Sequence, residues 1–385
     1  MADTSFLNWP FFENRHRELA EQLEVWCKGN LPVDHSDVDA ACRGLVSALG
    51  AAGFLTHSGT TGQERLDVRS LCLIRETLAR YDGLADFSFA MQGLGMGAVS
   101  LFGSQEQREW LKQTRAGKAI SAFALTEPAS GSDVANIQMM AKKTDDDFVL
   151  DGEKTWISNG GIADLYVVFA RTGEAAGAKG LSAFLVPATT AGLSVEERLE
   201  VIAPHPLARL KFKAVKLPRA ALIGDAGSGF KIAMSVLDVF RSTVGAAALG
   251  FARRALEETL TRCADRQLFG APMHELQMIQ GHIAEMAVDI DASALLVYRA
   301  AWTKDTGAAR VTREAAMAKL FATDQAQGVI DKAVQIHGGD GVRKGSVVES
   351  LYREIRALRI YEGASDVQKI VIARQEISRK QGENK

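Results

Sequence analysis

The spacing of apolar and polar positions changes character twice along this chain. Near the start, ENRHRELAEQLEVWCK (13–28), VDAACRGLVSALGAAG (38–53) and LDVRSLCLIRETLARYDG (66–83) repeat apolar side chains every three or four residues. That period lines one face of a helix, so the first third is expected to be helical. Ser104 and Gln107 form a capping-box pair that would open another helix at EQREWLKQT. From residue 120 the apolar positions contract into short runs: ISAFALT (120–126), FVLDG (148–152), LYVVFA (165–170), LSAFLVP (181–187) and LKFKAVKLP (210–218). Bounded by Gly, Asp, Asn and Pro, they read as strands. Five of the eight prolines (Pro128, Pro187, Pro204, Pro206, Pro218) lie in this window, and proline is expelled from helix interiors but tolerated at turns and sheet edges. Beyond Ser228 long helical periods return at about 229–264, 275–305, 311–336, 346–358 and 362–379, a pattern that predicts a bundle. The expected fold is mainly α with a central β domain. An N-terminal α-helical domain covers 1–118, a β-barrel or sheet domain 119–224, and a C-terminal four-helix-bundle domain 225–385.

Composition narrows the function classes. With 385 residues, 47% of them apolar, the chain can bury more than one core. The 45 basic and 47 acidic residues nearly balance and form no long run of one sign. No nucleic-acid footprint or anionic-membrane patch is therefore expected. Cys27, Cys42, Cys72 and Cys263 are far apart without a CxxC pair, which argues against a disulfide framework or a cysteine-bound zinc. The N-terminal stretch has no basic start followed by a long apolar run, so a cytoplasmic protein without a membrane anchor is expected. Gly93-Leu-Gly95-Met-Gly97-Ala98 imitates a dinucleotide fingerprint, but DFSFAM before it is a poor strand and no ribose-binding acid follows near 115. Close helix packing is the expected role of these glycines. HExxH, GxSxG and P-loop patterns are absent from the sequence.

Five stretches carry chemistry together: ALTEPASGSDVA (124–135), TWISNGGIAD (155–164), DRQLFG (265–270), QIHGGDG (335–341) and YEGAS (361–365). Singly they read as a surface turn, a core tryptophan, a helix-surface arginine and a helix-end acid. In this order, on an α–β–α chain, they resemble the acyl-CoA dehydrogenase family, from about residue 15 to 380.

The resemblance implies FAD as cofactor, held between the β domain and the C-terminal bundle, with an acyl-CoA thioester against the flavin. Phe123, Leu125 and Thr126 would meet the pyrimidine end of the flavin. Trp156 would pack on it, and Ser158, usually threonine in relatives, would hydrogen-bond near N5. Arg266 would bind the pyrophosphate, to which a planar fork of donors is suited. Phe269, Gln277, Gln335, Gly338 and Gly339 match further FAD contacts, the last three reaching a neighbouring subunit's cofactor. A homodimer or homotetramer is implied. Ser132, Asp238, Arg241, Gly363 and Arg374 match substrate-binding positions.

The implied reaction is α,β-dehydrogenation to a trans-2-enoyl-CoA, with an electron-transferring flavoprotein as acceptor. Relatives place the catalytic glutamate either in the YEG stretch or immediately before the arginine matched by Arg241. The second place holds Phe240, which leaves Glu362 as the base. Phe240 and the Phe87–Met91 region narrow the expected acyl group to a short, branched or cyclic one. Ala364, Asp366 and the loop IAPHPLARL (202–210) depart from the family pattern. Two alternatives stay open: an oxygen-using oxidase- or monooxygenase-like member, and a non-catalytic flavin-binding relative.

Overall fold

A computed structural model of the chain describes residues 3–62 and 65–382. Five helices come first: α1 (Asn14–Asn30), α2 (Val38–Ala51), α3 (Val68–Tyr81), α4 (Gly83–Phe102) and α5 (Arg108–Arg115). The starts of α2 and α3 are capped by side chains that satisfy otherwise orphaned N–H groups. Asp37 accepts from the Ala40 N–H at 2.9 Å and Asp67 from the Ser70 N–H at 3.2 Å. The Ser104–Gln107 pair is bonded in both directions, at 3.1 and 3.2 Å, and closes the turn just before α5.

The sheet follows: β1 (Ser121–Ala124), β2 (Met140–Lys143), β3 (Asp147–Ser158), β4 (Leu165–Arg171), β5 (Leu181–Pro187), β6 (Leu193–Leu199), β7 (Leu207–Pro218) and β8 (Leu222–Ile223). Its order is β6-β7-β3-β2-β4-β5-β8, with β1 parallel to β4 through the register Ser121↔Leu165 to Ala124↔Val168. β3 and β7 form a long antiparallel pair interrupted at Leu150/Gly152 and at Lys154/Ile157. Phe148 and Phe184 meet with ring centroids 5.0 Å apart in its core.

The rest is helical: α6 (Gly229–Asp265), α7 (Gln277–Asp305), α8 (Thr312–His337), α9 (Val347–Leu358) and α10 (Ser365–Lys380). A small hairpin of β9 (Gln267–Leu268) and β10 (Ala271–Pro272) stands between α6 and α7. Among the described residues α6 alone is long and apolar enough to cross a membrane, but 83% of its most apolar window is buried, as in a core helix.

Two compact units divide the chain. One comprises residues up to Pro32, Asp67–Asp86 and the chain from Asp238; the other comprises Val33–Leu66 and Phe87–Leu237. In the first, α8 packs against α7, α9 and α10, and α3 against α1 and α7. In the second, Gly95 lies on β1, where an added Cβ would stand 2.4 Å from the Ser121 Oγ. The glycine-rich stretch is thus the interior of α4 and serves close packing.

Some elements lie outside the sequence reading. α4 is buried on every side from Leu84 to Ser100, so it has no polar face to give a helical period. β2, β6 and β8 lack long apolar runs; β6, LSVEERL, is largely exposed. α10 begins at Ser365, which leaves Glu362 in the turn before it instead of inside a helix.

Candidate active site

Glu362 stands in the left-handed region, at φ 53, and Gly363 follows at φ 94. A non-glycine residue in that region costs of order 1–3 kcal/mol and persists only where its surroundings determine it. Here they do. The Gly363 carbonyl accepts from Lys319 Nζ on α8 and from Gln368 Nε2 on α10, each at 2.9 Å. A Cβ on Gly363 would stand 2.3 Å from that Gln368 nitrogen, so glycine is required there by space as well as by φ.

The Glu362 side chain is turned inward. Its Oε2 is solvent-excluded and has no hydrogen-bond partner among the described residues. Burial raises the carboxyl above its ordinary pKa, and the cations Arg75, Lys319 and Arg241 offset only part of that effect. Arg75 is held by Asp86 through two 2.8 Å bonds and by Thr243 at 3.0 Å. Arg241 pairs with Asp238 at 3.2 Å, and Asp238 also accepts from the Thr312 hydroxyl at 2.8 Å. The Arg241 Nε has no partner among the described residues. Burial lowers Lys319 to about 8. Among the described residues the Glu362 N–H meets no protein acceptor. A desolvated carboxylate with a free N–H at the same residue can take a proton and hold an oxygen.

The other unit brings Thr126, Trp156 and Ser158 together. The Thr155 N–H donates to the Thr126 carbonyl at 3.0 Å, which joins the end of β1 to β3. Trp156, at φ 58, sits in the Lys154/Ile157 bulge, and its indole is 56% exposed. The half-buried Thr126 and Ser158 hydroxyls have no protein partner among the described residues. Beneath them, buried Lys154 donates to the Leu125 carbonyl at 3.0 Å and to Glu127 at 2.8 Å. Glu127 also accepts from the Met139 N–H at 3.0 Å. Phe123 packs on Phe169, and Ser132 is exposed in the turn beyond.

Arg266, Phe269 and Gln277 share a region of the first unit with the 335–339 segment. Met273 and Ile336 pack on Cys263, with Leu268 of β9 against them, and Arg262 pairs with Asp340 at 3.0 Å. Phe269 and Gly270 form the two-residue turn of the hairpin, at φ 53 and 84, and the Phe269 ring is 95% exposed. Gly338 and Gly339 have open space where side chains would stand. Arg374 is exposed on α10.

Sequence reading missed Arg75, Asp86, Lys319, Gln368, Lys154 and Glu127. Buried charged residues on apolar helix faces and strands were the available signal, since such groups are rarely buried without a partner.

These features can be set beside known proteins. A family model described as acyl-CoA dehydrogenase, middle domain, matches residues 122–215, and one described as acyl-CoA dehydrogenase, C-terminal domain, matches 227–377. The mitochondrial short-chain specific acyl-CoA dehydrogenase of Bos taurus is 39% identical over 315 residues, 80% of this chain and 76% of that one. The solved butyryl-CoA dehydrogenase of Megasphaera elsdenii superposes with a TM-score of 0.87 at 31% identity, over 95% of this chain and 99% of that one. A structure described as the FAD complex of PigA gives a TM-score of 0.89 at 28% identity, over 96% and 99%. Two family models that together span most of the chain, and relatives matched over 76% and 99% of their length, place this protein in the acyl-CoA dehydrogenase family of oxidoreductases.

Proposed function

We propose that this protein is an FAD-dependent dehydrogenase of acyl-CoA thioesters in which Glu362 is the catalytic base. One observation carries the reading: a buried carboxylate oxygen without a partner, on a turn held in left-handed backbone. The family is FAD-dependent, and the residues present fit that cofactor. Unpartnered Thr126 and Ser158 hydroxyls lie beside a half-exposed indole, and glycines facing open space lie near an exposed arginine. Phe123, Leu125, Thr126, Trp156 and Ser158 would hold the flavin end. Arg266, Phe269 and Gln277 would hold the remainder, with Gln335, Gly338 and Gly339 presented to a neighbouring subunit's FAD in a homodimer or homotetramer.

Bound FAD supplies the hydride acceptor for Cβ. The chain supplies the rest. The Glu362 N–H donates to the thioester carbonyl oxygen, which makes the α-hydrogen acidic, and the Glu362 carboxylate takes that proton. Gly363, Asp238, Arg241 and Arg374 of the first unit, and Ser132 of the second, are the residues assigned to substrate binding. The product is a trans-2-enoyl-CoA. The short-chain specificity named for the bovine relative and the buried Phe240 support a short, branched or cyclic acyl group. Electrons pass to an electron-transferring flavoprotein, and a cytoplasmic location is retained. So is the division at 118/119 and 224/225, inside which both family matches fall.

The test is anaerobic bleaching of the yellow holoprotein by straight, branched, cyclic and dicarboxylic acyl-CoAs, with Glu362→Gln as control. That variant is expected to keep FAD and lose about 10²–10⁴ in rate. Near-normal turnover in it would end the assignment of the base. Rapid peroxide formation in air would move the acceptor from a flavoprotein to oxygen.

A further inference from the structure

Lys319 lies inside α8 with no exposed surface. A buried ammonium is costly unless it is paired, yet among the described residues no carboxylate lies within ion-pair distance of it. Its Nζ instead donates to the Gly363 carbonyl. The charges around it pair off in a regular way. Arg75 of α3 takes Asp86 of α4, Arg241 takes Asp238 within α6, and Arg359 takes Asp324 of α8 at 2.7 Å. Among the described residues here, Lys319 and Glu362 are opposite charges without such a partner, and each influences the other's ionisation.

The backbone connects them as well. Lys319 and Gln368 converge on the carbonyl directly after Glu362. Two donors on one carbonyl fix the Gly363–Ala364 peptide plane, one residue beyond the base, and with it the left-handed Glu362–Gly363 turn that aims the carboxylate inward.

We propose that Lys319 is a positioning residue for Glu362: it locks the Gly363 carbonyl and provides the buried counter-charge to the carboxylate. The inference rests on the reading of Glu362 as the base. Because a nearby cation favours the ionised acid, loss of the charge raises the pH at which Glu362 becomes a base.

The experiment measures kcat/KM against pH on holoenzyme carrying Lys319→Gln, Lys319→Met, Lys319→Arg, Gln368→Leu or Glu362→Gln. Lys319→Gln keeps a donor and drops the charge; its acidic limb is expected to move up by roughly one pH unit or more. Lys319→Met should show the same displacement and, with the carbonyl released, a plateau at least ~10-fold lower. Gln368→Leu should lower the plateau and leave the limb in place. Lys319→Arg, which keeps the charge, should hold the limb near its wild-type position, and Lys319→Met carries the charge test if the glutamine variant fails to fold. A purely structural role would lower FAD content and melting temperature without moving the limb. An unmoved limb in Lys319→Gln, or a displaced one in Lys319→Arg, overturns the proposal. If Glu362→Gln is inactive while the limb stays put, the base reading stands and only this inference fails; an active Glu362→Gln sinks the base reading itself.

Discussion

Glu362 combines two features that a protein avoids unless something requires them: a solvent-excluded carboxyl oxygen and a left-handed backbone. Burial raises its pKa above that of the unfolded chain, so the native state binds more protons. The associated stability is complete below the unfolded pKa and is lost as pH rises through the folded one. Glu362→Gln should therefore raise Tm at pH 7, by an amount on the order of a few °C, with little gain near pH 4. Melting curves at the two pH values test this; an equal gain at both would exclude the electrostatic cause. Lys154 makes the opposite case. It is buried, lowered to about 8 by burial against the pull of Glu127, and it holds the Leu125 carbonyl and Glu127 at once. Lys154→Met strands the Glu127 carboxylate and should cost about 3–5 kcal/mol in urea unfolding. It should also cost FAD retention, because Thr126 lies between the two anchored residues. A change below about 1 kcal/mol would show that the pair is not an anchor.

Elements were legible where a period survives. The strands rich in apolar residues and the five long C-terminal helices lie close to where alternation and three- or four-residue spacing put them. α4 escaped because burial on every side erases the period, and β6 because an edge strand exposes most of its residues. The α4 glycines, expected to serve close helix packing instead of a dinucleotide site, do so where Gly95 meets β1. Gly95→Ala should destabilise by about 1–3 kcal/mol, since the added methyl meets a short side chain and a strand backbone that cannot swing aside. Denaturant melts would detect it, and a neutral result would mean the seam is loose. The Trp156 bulge was likewise unreadable. TWIS looks like continuous strand, and only the pairing of β3 with β7 reveals the residue whose left-handed φ turns the indole outward.

For the whole molecule, the exposed hairpin is the feature that folding does not explain. Phe269 buries almost nothing in this chain, yet it occupies a left-handed turn position that disfavours an aromatic residue. Phe269→Asn should leave the stability of the apoprotein within about 0.5 kcal/mol, because little packing is lost and asparagine tolerates that backbone. FAD retention should fall if the ring serves the cofactor. Equilibrium dialysis beside a melt of the apoprotein separates the two, and unchanged retention would assign the ring elsewhere. The sequence by itself determined the α–β–α order and the family, and it singled out the acid proposed here as the base. Those depend on side-chain period and on residue types at fixed spacing along the chain. Only tertiary structure decided how the base is held. Arg75, Asp86, Lys319 and Gln368 are scattered from α3 to α10, and charge pairing between distant segments leaves no local pattern to read. Burial and the convergence of two donors on one carbonyl exist only once the helices have packed.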